Sequence, residues 1–267
     1  MTVQPGLFPL EGMIDIHSEA AQTEFLDKAR SAGLRAVVLK WPGAQDSAPA
    51  AMFANHFGAQ SSPHAIRFFG GVVLDRAVGG LNAAAVEACA SAGGIFVWLP
   101  VKDALTHRLR NDISTDGAVH VVDADGQLLP EMLAVLESVA RHNLILGTGH
   151  LGPTEVAAVV PAALRHGIRR VLLNHPLLLG FSMDDLPRLA SPGVFFEHCY
   201  TPDHPKPFDV GLIAEAVRAI GPDQSLIGDF GLYGVQPNIA DALIAWGMPP
   251  ATVRLLASDT PAKLLEL

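Results

Sequence analysis

Ionisable side chains recur in this 267-residue sequence at the points where short apolar runs end. They are His17, Glu19, Lys40, His150, His175, Glu197, His198 and Asp229. Imidazole nitrogens and carboxylate oxygens bind divalent zinc-like ions, and an ion that keeps one coordination position open activates water. A carboxylate such as Asp229 could move the proton of that water, while His175 could polarise a scissile carbonyl group. These residue types point to metal-assisted hydrolysis.

This chemistry requires residues far apart in the sequence to meet, and the order of apolar and polar segments predicts how they do so. Eight apolar runs rich in Val, Ile, Leu and Phe alternate with Ala- and Leu-rich segments of helical spacing, which is a βα pattern. The predicted strands cover residues 13–17, 36–40, 67–74, 94–99, 144–148, 170–175, 194–199 and 225–229. The predicted helices cover residues 20–32, 48–57, 81–92, 130–141, 154–166, 183–189, 208–220 and 239–246.

Continuous apolar runs are typical of parallel strands that are covered on both faces, and eight such units close into a barrel. An open doubly wound sheet is the alternative, but no phosphate-binding glycine turn follows the first strand. We therefore predict that residues 1–267 form one α/β domain, a (β/α)8 TIM barrel. Active sites of such barrels lie at the C-terminal ends of the strands, so the ionisable groups are expected to share one rim.

Residues 105–129 interrupt this rhythm after the fourth strand. Residues 119–129 read as a hairpin with an Asp-Gly turn, so we predict a hairpin-containing insertion beside the rim. His107 lies in this insertion and could reach the site. Trp41, which directly follows Lys40, could line the site, although core packing is its simpler role.

Composition argues against several classes of partner. The formal net charge of −9 and the pI near 5.6 disfavour nucleic acid, because no cluster of Lys and Arg is present to neutralise phosphates. No apolar run approaches the roughly 18 residues of a membrane-spanning helix. Cys89 and Cys199 lack the spacing of a disulfide framework or of a thiolate zinc site. We expect a cytoplasmic protein that acts on a small-molecule substrate, with homo-oligomer formation left open.

Positions 40, 197 and 198 each have more than one interpretation. Glu197 and His198 are adjacent, so they point to opposite faces of their strand, and we prefer His198 as the inward residue. Lys40 could be a carbamylated bridging ligand or an anchor for a substrate carboxylate or phosphate. It could also be a buried salt-bridge partner of Asp15 or Glu19, which is the simplest of the three interpretations.

Motifs at the strand ends resemble those of the amidohydrolase superfamily, whose members are metal-dependent (β/α)8 hydrolases and, in one branch, decarboxylases. IDIHSEA at 14–20 is similar to the HxH signature of strand one, and TGHL at 148–151 to the strand-five ligand. LNHP at 173–176 is similar to the strand-six histidine, and GDFG at 228–231 to the strand-eight aspartate. The closing DTPAKLLEL is similar to an N-P-A-x-L-L segment of such chains. The resemblance spans almost the whole length and is closest to an uncharacterised amidohydrolase-like family with TGHL and VLK motifs.

This resemblance implies a divalent metal ion, with zinc expected first. Its ligands would be His17, His150 and Asp229, and His175 would be a further ligand or an activating group. Glu19 stands where the superfamily has the second histidine of HxH. A glutamate oxygen can also bind the ion and makes the ligand set harder, which suits manganese or iron as well as zinc. The same replacement could equally weaken metal binding.

Three functions are compatible with this interpretation. The leading hypothesis is metal-dependent hydrolysis of an amide, lactam, lactone or related small carbonyl compound, with metal-activated water as nucleophile and Asp229 as proton shuttle. The second is metal-dependent decarboxylation of an aromatic or unsaturated acid, whose carboxylate Lys40 or an arginine would hold. The third is a barrel in which Glu19 and Lys40 have replaced metal ligands and which binds a metabolite without converting it.

Overall fold

Parallel strands alternate with helices along the chain, as the apolar runs predict. The structure is a computed structural model that describes residues 8–19, 23–44, 46–59, 66–200, 209–228 and 238–267. The strands are β1 (Ile14–Ser18), β2 (Ala36–Leu39), β3 (Arg67–Phe69), β4 (Gly71–Val73), β5 (Phe96–Trp98), β6 (Ile145–Gly147), β7 (Val171–Asn174), β8 (Val194–His198) and β9 (Ser225–Ile227). Each strand falls within a predicted one or extends it by a single residue.

Helices connect these strands and follow the last of them. They are α1 (Thr23–Ser31), α2 (Ala48–Ala59), α3 (Ala83–Ser91), α4 (Leu105–Arg110), α5 (Pro130–Arg141), α6 (Pro153–Arg165), α7 (Asp185–Leu189), α8 (Val210–Ile220), α9 (Ile239–Ala245), α10 (Pro250–Arg254) and α11 (Thr260–Leu265). A π-helical segment, Leu255–Asp259, joins the last two. Within the described ranges, none of these helices has both the length and the apolar character needed to cross a bilayer.

All strand pairs are parallel and follow the order of the chain. Strands β1 to β3 form one run of pairs, and β4 to β9 form another. The predicted third strand is divided at Gly70, so that β3 pairs with β2 while β4 pairs with β5. The last strand, β9, lies beside the first, β1, because a Cβ on Gly228, directly after β9, would lie 3.0 Å from Cβ of His17. The strands therefore surround one interior, which confirms the predicted (β/α)8 barrel.

Side-chain alternation separates the barrel interior from the layer beneath the helices. Each of the eight predicted strands contributes to an interior apolar cluster, whose buried strand residues are Ile14, Ile16, Ala36, Val38, Val73, Phe96, Trp98, Ile145, Leu172, Phe195 and Leu226. The residues between them pack outward in two further clusters, as expected for strands that are covered on both faces. The inward register of each strand therefore predicts which of its last residues reaches the rim.

Helix α11 covers the N-terminal end of the barrel. Its residues Ala262, Leu264 and Leu265 belong to the interior cluster. The carbonyl oxygen of Leu264 accepts a hydrogen bond from Nη1 of Arg170, just before β7, at 3.3 Å. This apolar cover leaves the C-terminal end of the barrel as the place where polar side chains gather.

The segment after β5 contains a helix that the sequence analysis did not predict. Helix α4 spans only six residues, which is too short for a helical period to stand out. The predicted hairpin is present as a single antiparallel bridge between Val122 and Leu128. The predicted Asp-Gly pair lies in its turn, where Gly126 has a φ of +78° and its N–H donates to the carbonyl of Asp123 at 3.1 Å.

We expect Gly71 to tolerate no side chain. A Cβ at Gly71 would overlap the backbone carbonyl of Phe96 on the neighbouring strand, whereas a Cβ at Gly58 in α2 would meet only the flexible guanidinium of Arg30, at 3.4 Å. Gly71→Ala should lower the free energy of unfolding by about 3 kcal/mol or more. Gly58→Ala should leave it unchanged or raise it by up to about 1 kcal/mol. Urea unfolding measures both variants, and equal effects would contradict the close strand contact.

Candidate active site at the C-terminal rim

The end of β8 brings a carboxylate into the barrel interior. Phe195 belongs to the interior cluster and Phe196 to the outer one, so alternation turns Glu197 inward and His198 outward. Both side chains are buried. The preference for His198 as the inward residue is therefore wrong. The two phenylalanines before the pair fit either face, so the sequence alone could not reveal the register.

Glu197 connects β8 to β1 and β7. Its Oε1 lies 2.8 Å from Nδ1 of His17 on β1, and its Oε2 accepts a hydrogen bond from the side-chain amide of Asn174 on β7. The thiol of Cys199 lies 3.6 Å from Oε1, and Nε2 of His175 lies 3.9 Å from Oε2. This carboxylate is thus surrounded by possible donors, as a charge without access to solvent requires.

A β-bulge directs His17 towards Glu197. Asp15 pairs with Val37 of β2 and Ser18 pairs with Leu39, so β1 has two residues between these pairs where β2 has one. The extra residue interrupts the alternation, so His17 reaches the interior although the residue before it, Ile16, also faces inward. Bulges commonly re-aim side chains beside active sites in this way.

His175 has a left-handed backbone conformation, with φ 45° and ψ 46°. Residues other than glycine seldom adopt it, and it is often found at functional sites. Here it allows two consecutive residues, Asn174 and His175, to approach Glu197. The ring of His175 lies edge-on to that of His17, with 4.7 Å between centroids. Nδ1 of His175 is buried and has no hydrogen-bond partner in the described part of the chain.

His150 follows β6 and is a second imidazole that approaches His175. The centroids of these two rings lie 5.7 Å apart. Nδ1 of His150 also lies 2.8 Å from Nδ1 of His107 on α4. A hydrogen bond between two imidazole Nδ1 atoms requires one to carry the proton and the other to accept it. The structure therefore brings His107 to the rim through His150.

Lys40 directly follows β2. It lies two residues after the interior residue Val38 and so continues the inward register of that strand, and its side chain is fully buried. Its Nζ lies 6.0 Å from the centroid of the Trp98 ring. Over the described ranges of the chain, this Nζ has no hydrogen-bond partner. An amine that could be charged thus lies in the interior next to an aromatic face.

The predicted salt bridge between Lys40 and either Asp15 or Glu19 is wrong. Asp15 alternates with two interior residues and so lies on the outward side of β1, where its carboxylate accepts a hydrogen bond from the N–H of His17 at 2.9 Å. The carboxylate of Glu19 is half exposed and lies 3.6 Å from Nε2 of His17. Neither carboxylate reaches the interior position of the Lys40 amine.

Two further predicted residues do not contribute to the rim that the structure describes. Trp41 packs against an outer core cluster, in agreement with the simpler interpretation. Asp229 lies outside the described residues, so its role as ligand and proton shuttle stays a prediction.

A buried carboxylate that the sequence analysis did not select organises the loops around this rim. Asp75 accepts hydrogen bonds from the backbone N–H groups of Gly43, Val101 and Asp103, at 2.8, 2.8 and 3.0 Å. It follows β4 as His175 follows β7, so its position after a strand was the available signal. Asn174 was missed as well, because an amide is not a typical metal ligand.

The carboxylates hold a proton on His17. Burial and the charge of Lys40 lower the pKa of His17, but Glu197 and Glu19 together outweigh them and raise it to about 9. Burial alone would raise the pKa of Glu197, yet the imidazoles of His175 and His17 bring that pKa well below its usual range. Near neutral pH, His17 and Glu197 are therefore an imidazolium–carboxylate pair.

The pKa values of His150 and His175 are lowered, in contrast to that of His17. Burial, followed by the charge of Lys40, places the pKa of His150 well below its ordinary value. Burial also lowers the pKa of His175 to about 3, although the charge of Glu197 acts against this change. Both imidazoles are thus neutral near pH 7, and neutral imidazole is the form that binds a metal ion.

A family of unknown function, DUF6282, matches residues 13–197 of the sequence. The chain belongs to DUF6282. The matched segment begins just before β1 and ends at Glu197, so it includes His17, His150 and His175. No functionally curated protein matches this DUF6282 chain.

Solved structures share the fold of this DUF6282 protein. An amidohydrolase from Pseudomonas aeruginosa is 14% identical, with a TM-score of 0.64 over 97% of this chain and 95% of that chain. An amidohydrolase from Burkholderia multivorans is 15% identical, with a TM-score of 0.58 over 96% and 99%. N-acetyl-D-glucosamine-6-phosphate deacetylase from Mycobacterium smegmatis is 13% identical, with a TM-score of 0.57 over 96% and 76%. These similarities confirm the amidohydrolase resemblance at the level of the fold.

Two sets of side chains at this rim could hold a divalent ion. In the first set, one ligand atom from each of His17, His175, Glu197 and Cys199 lies within 4.8 Å of the others. The ligand atoms of a tetrahedral zinc ion are separated by roughly 3.4–3.8 Å, since each lies about 2.0–2.3 Å from the ion. Small side-chain movements would therefore bring this first set into coordination distance.

The second set contains the predicted ligands His17 and His150. Nδ1 is engaged in both rings, by Glu197 in the first and by His107 in the second. Each ring therefore keeps Nε2 available to bind an ion. The carboxylate of Glu19 lies 3.6 Å from Nε2 of His17 and could bind the same ion. Metal-binding histidines typically have their other nitrogen held in this way, so these residues fit a divalent cation.

Glu197→Gln should release the proton from His17 in metal-free protein. With the carboxylate charge removed, burial and Lys40 dominate, and the pKa of His17 should fall from about 9 towards or below its ordinary value of 6.5. Because the pKa is raised in the folded state, the stabilisation from this pair is full below pH 6.5 and is lost as the pH rises through 9. NMR titration of the imidazole measures the pKa.

The matched control for this titration is Glu19→Gln. Glu19 is half exposed and farther from His17 than Glu197 is, so its loss should lower the pKa of His17 less. Solvent screens an exposed charge more strongly than a buried one. An equal or larger decrease in Glu19→Gln would contradict the assignment of Glu197 as the principal partner.

Proposed function

We propose that this DUF6282 protein is a metal-dependent hydrolase that acts on an amide, lactam, lactone or related small carbonyl compound. The observation that carries the proposal is the orientation of His17 and His150, each of which keeps Nε2 for a ligand because Nδ1 is engaged. The shared fold with two solved amidohydrolases and a deacetylase supports it.

The ion would be held by His17, Glu19 and His150, with Asp229 as the fourth predicted ligand. Zinc is the first expectation, and the oxygen of Glu19 makes manganese or iron acceptable. A divalent ion bound there lowers the pKa of water towards neutrality and so supplies a nucleophile. Uptake of the ion at neutral pH requires the His17 imidazolium to release its Nε2 proton, while the Nδ1 proton stays hydrogen-bonded to Glu197.

The other rim residues act on the substrate and on the orientation of the ligands. His175 contacts the rings of both His17 and His150 and is neutral, so one of its ring nitrogens carries a hydrogen that can be donated. Such a donor can bind the carbonyl oxygen of the substrate and stabilise the negative charge that develops on it. Asp229 would accept the proton of the attacking water and transfer it to the leaving group.

Decarboxylation of an aromatic or unsaturated acid is the second candidate function. The observation that favours it is the buried Lys40 amine, which has no hydrogen-bond partner in the described part of the chain and could hold a carboxylate. The two reactions differ in their products. CO2 release from aromatic and unsaturated acids, compared with hydrolysis of amides, lactams and lactones by the same preparation, distinguishes them.

Purified protein should contain a divalent metal at a stoichiometric ratio, and its activity should disappear with a chelator and return with the metal. Elemental analysis and a substrate panel measure these outcomes. Protein that holds no divalent metal and gains no activity when zinc, manganese or iron is added would exclude the mechanism.

Single variants separate the two possible ligand sets. His150→Ala and Glu19→Gln should each weaken metal binding by at least about 100-fold, since loss of a ligand exceeds the 10- to 100-fold effect of an orienting partner. Cys199→Ala is the matched control and should retain the metal. The opposite pattern, with metal lost only in Cys199→Ala, would place the ion between His175, Glu197 and Cys199 instead.

His107 should act as a positioning residue for His150. If His150 donates its Nδ1–H to His107, its Nε2 lone pair is free for the ion, and this tautomer should dominate in a ¹H–¹⁵N spectrum of the imidazoles. His107→Ala should remove that preference and weaken metal binding by about 10- to 100-fold. His107→Asn should restore part of both, because the amide oxygen can accept the same hydrogen bond. An unchanged tautomer in His107→Ala would contradict this role.

A further inference from the structure

Two buried hydrogen-bond donors, the amine of Lys40 and the indole N–H of Trp98, lie close together in the barrel interior. Nζ of Lys40 and Nε1 of Trp98 have no hydrogen-bond partner in the part of the chain that the structure describes. Both residues are fully buried, and 6.0 Å separates Nζ from the centroid of the Trp98 ring. The carboxylates of Glu197 and Glu19 feel the charge of Lys40, but neither accepts a hydrogen bond from it. A buried donor without an acceptor is unfavourable, and a bound ligand would remove that cost.

The fold places these two donors directly beneath the rim. Lys40 lies two residues after the interior residue Val38, just beyond the end of β2, and Trp98 is the last residue of β5. The indole stacks on Phe96, with 4.7 Å between centroids and 6° between ring planes. It also lies against Gly147 of β6, where a Cβ would overlap Cδ1 of the indole. Packing on both sides holds the indole N–H in one orientation.

The neighbouring carboxylates are already engaged elsewhere. The oxygens of Glu197 contact His17 and Asn174. The carboxylate of Glu19 is half exposed and faces Nε2 of His17. Among the ion pairs of the described residues, neither carboxylate lies within 4.0 Å of the Lys40 amine. No residue of the described ranges therefore supplies an acceptor for the two donors.

The chemistry of the donors limits what the ligand can be. A lysine ammonium has three donors and no acceptor, and an indole N–H is a donor only. The ligand must therefore offer acceptor oxygens, and a negative charge would balance the ammonium. A carboxylate has two oxygens, one for each of the two donor groups, and its single negative charge balances the single ammonium in charge-assisted hydrogen bonds. A phosphate group carries close to two negative charges at neutral pH, of which one ammonium balances only one.

We propose that Lys40 and Trp98 form a carboxylate-binding subsite and that the substrate of this protein is a carboxylate-bearing compound. The inference rests on the proposed function for the location of the substrate at this end of the barrel. It does not depend on which bond is broken. Binding of a carboxylate can be measured without turnover, so the subsite and the reaction can fail separately.

Benzoate and benzamide are a suitable pair of probes, because they have the same shape and differ in charge. Isothermal titration of the protein as purified should show tighter binding of benzoate by about 10- to 100-fold. Lys40→Met, which keeps the length of the side chain but removes its charge, should abolish that preference. Trp98→Phe should reduce it by about fivefold, as expected for a neutral donor. Inorganic phosphate should bind more weakly than benzoate.

Lys102→Met is the matched control. Lys102 is an exposed cation whose charge also reaches Glu19, and its loss should leave the benzoate preference within about twofold, since solvent screens it. A second measurement separates a ligand site from a structural role. Lys40→Met should raise the Tm of ligand-free protein, because it removes a buried amine that has no hydrogen-bond acceptor among the described residues. A lysine that stabilised the fold would give a lower Tm instead.

Each remaining outcome has a defined meaning. An equal preference for benzoate in wild type and Lys40→Met would overturn the subsite and assign carboxylate binding to the metal. Loss of bound metal in Lys40→Met would also overturn it, in favour of a carbamylated ligand lysine. If the protein holds no metal and still prefers benzoate through Lys40, the subsite stands and the hydrolase mechanism fails.

Discussion

The buried carboxylate of Glu197 is the constraint on which the geometry of the rim depends. A charge without access to solvent requires donors around it, and Glu197 draws them from the neighbouring strands: Nδ1 of His17 on β1 and the amide of Asn174 on β7. These contacts cross between strands, so the same interaction sets the alignment of β1, β7 and β8 and the rotation of the His17 ring. Glu197 thereby determines which nitrogen of His17 faces a ligand, although it lies beneath the open side of the site.

Regular strands could not bring His17 and His175 to this carboxylate. Both residues follow inward-facing ones, Ile16 and Asn174, so strict alternation would turn both imidazoles outward. The bulge in β1 and the left-handed conformation of His175 each interrupt the alternation once, so that the imidazole after the interruption points inward. A non-glycine residue in such a conformation costs on the order of 1–3 kcal/mol. The interior contacts of the two rings offset that cost, and the strain is concentrated where the site needs two imidazoles.

Apolar runs and strand ends were sufficient to predict the barrel and to select most of the residues now found at its rim. Pro130 begins α5 at the predicted residue because its ring favours the first helical turn. Side-chain direction was harder to predict. Glu197 and His198 could be exchanged without altering any local pattern, and only the packing of Phe195 into the interior distinguishes them. The sequence could not decide between the interpretations of Lys40 for the same reason, because whether its amine has a partner among the described residues is a property of the three-dimensional arrangement.

Lys40 opposes the metal site in one respect, since a buried ammonium repels a cation. Its charge also lowers the pKa of His150, after burial itself, and acts with burial and His17 to keep His175 neutral. Neutral imidazole is required for metal binding, so the same charge that disfavours the ion keeps potential ligands deprotonated. A carboxylate bound to Lys40 would cancel the repulsion at close range. A bound carboxylate would reduce the repulsion between Lys40 and the metal ion, and a bound metal ion would attract the carboxylate. The two would therefore bind more tightly together than separately.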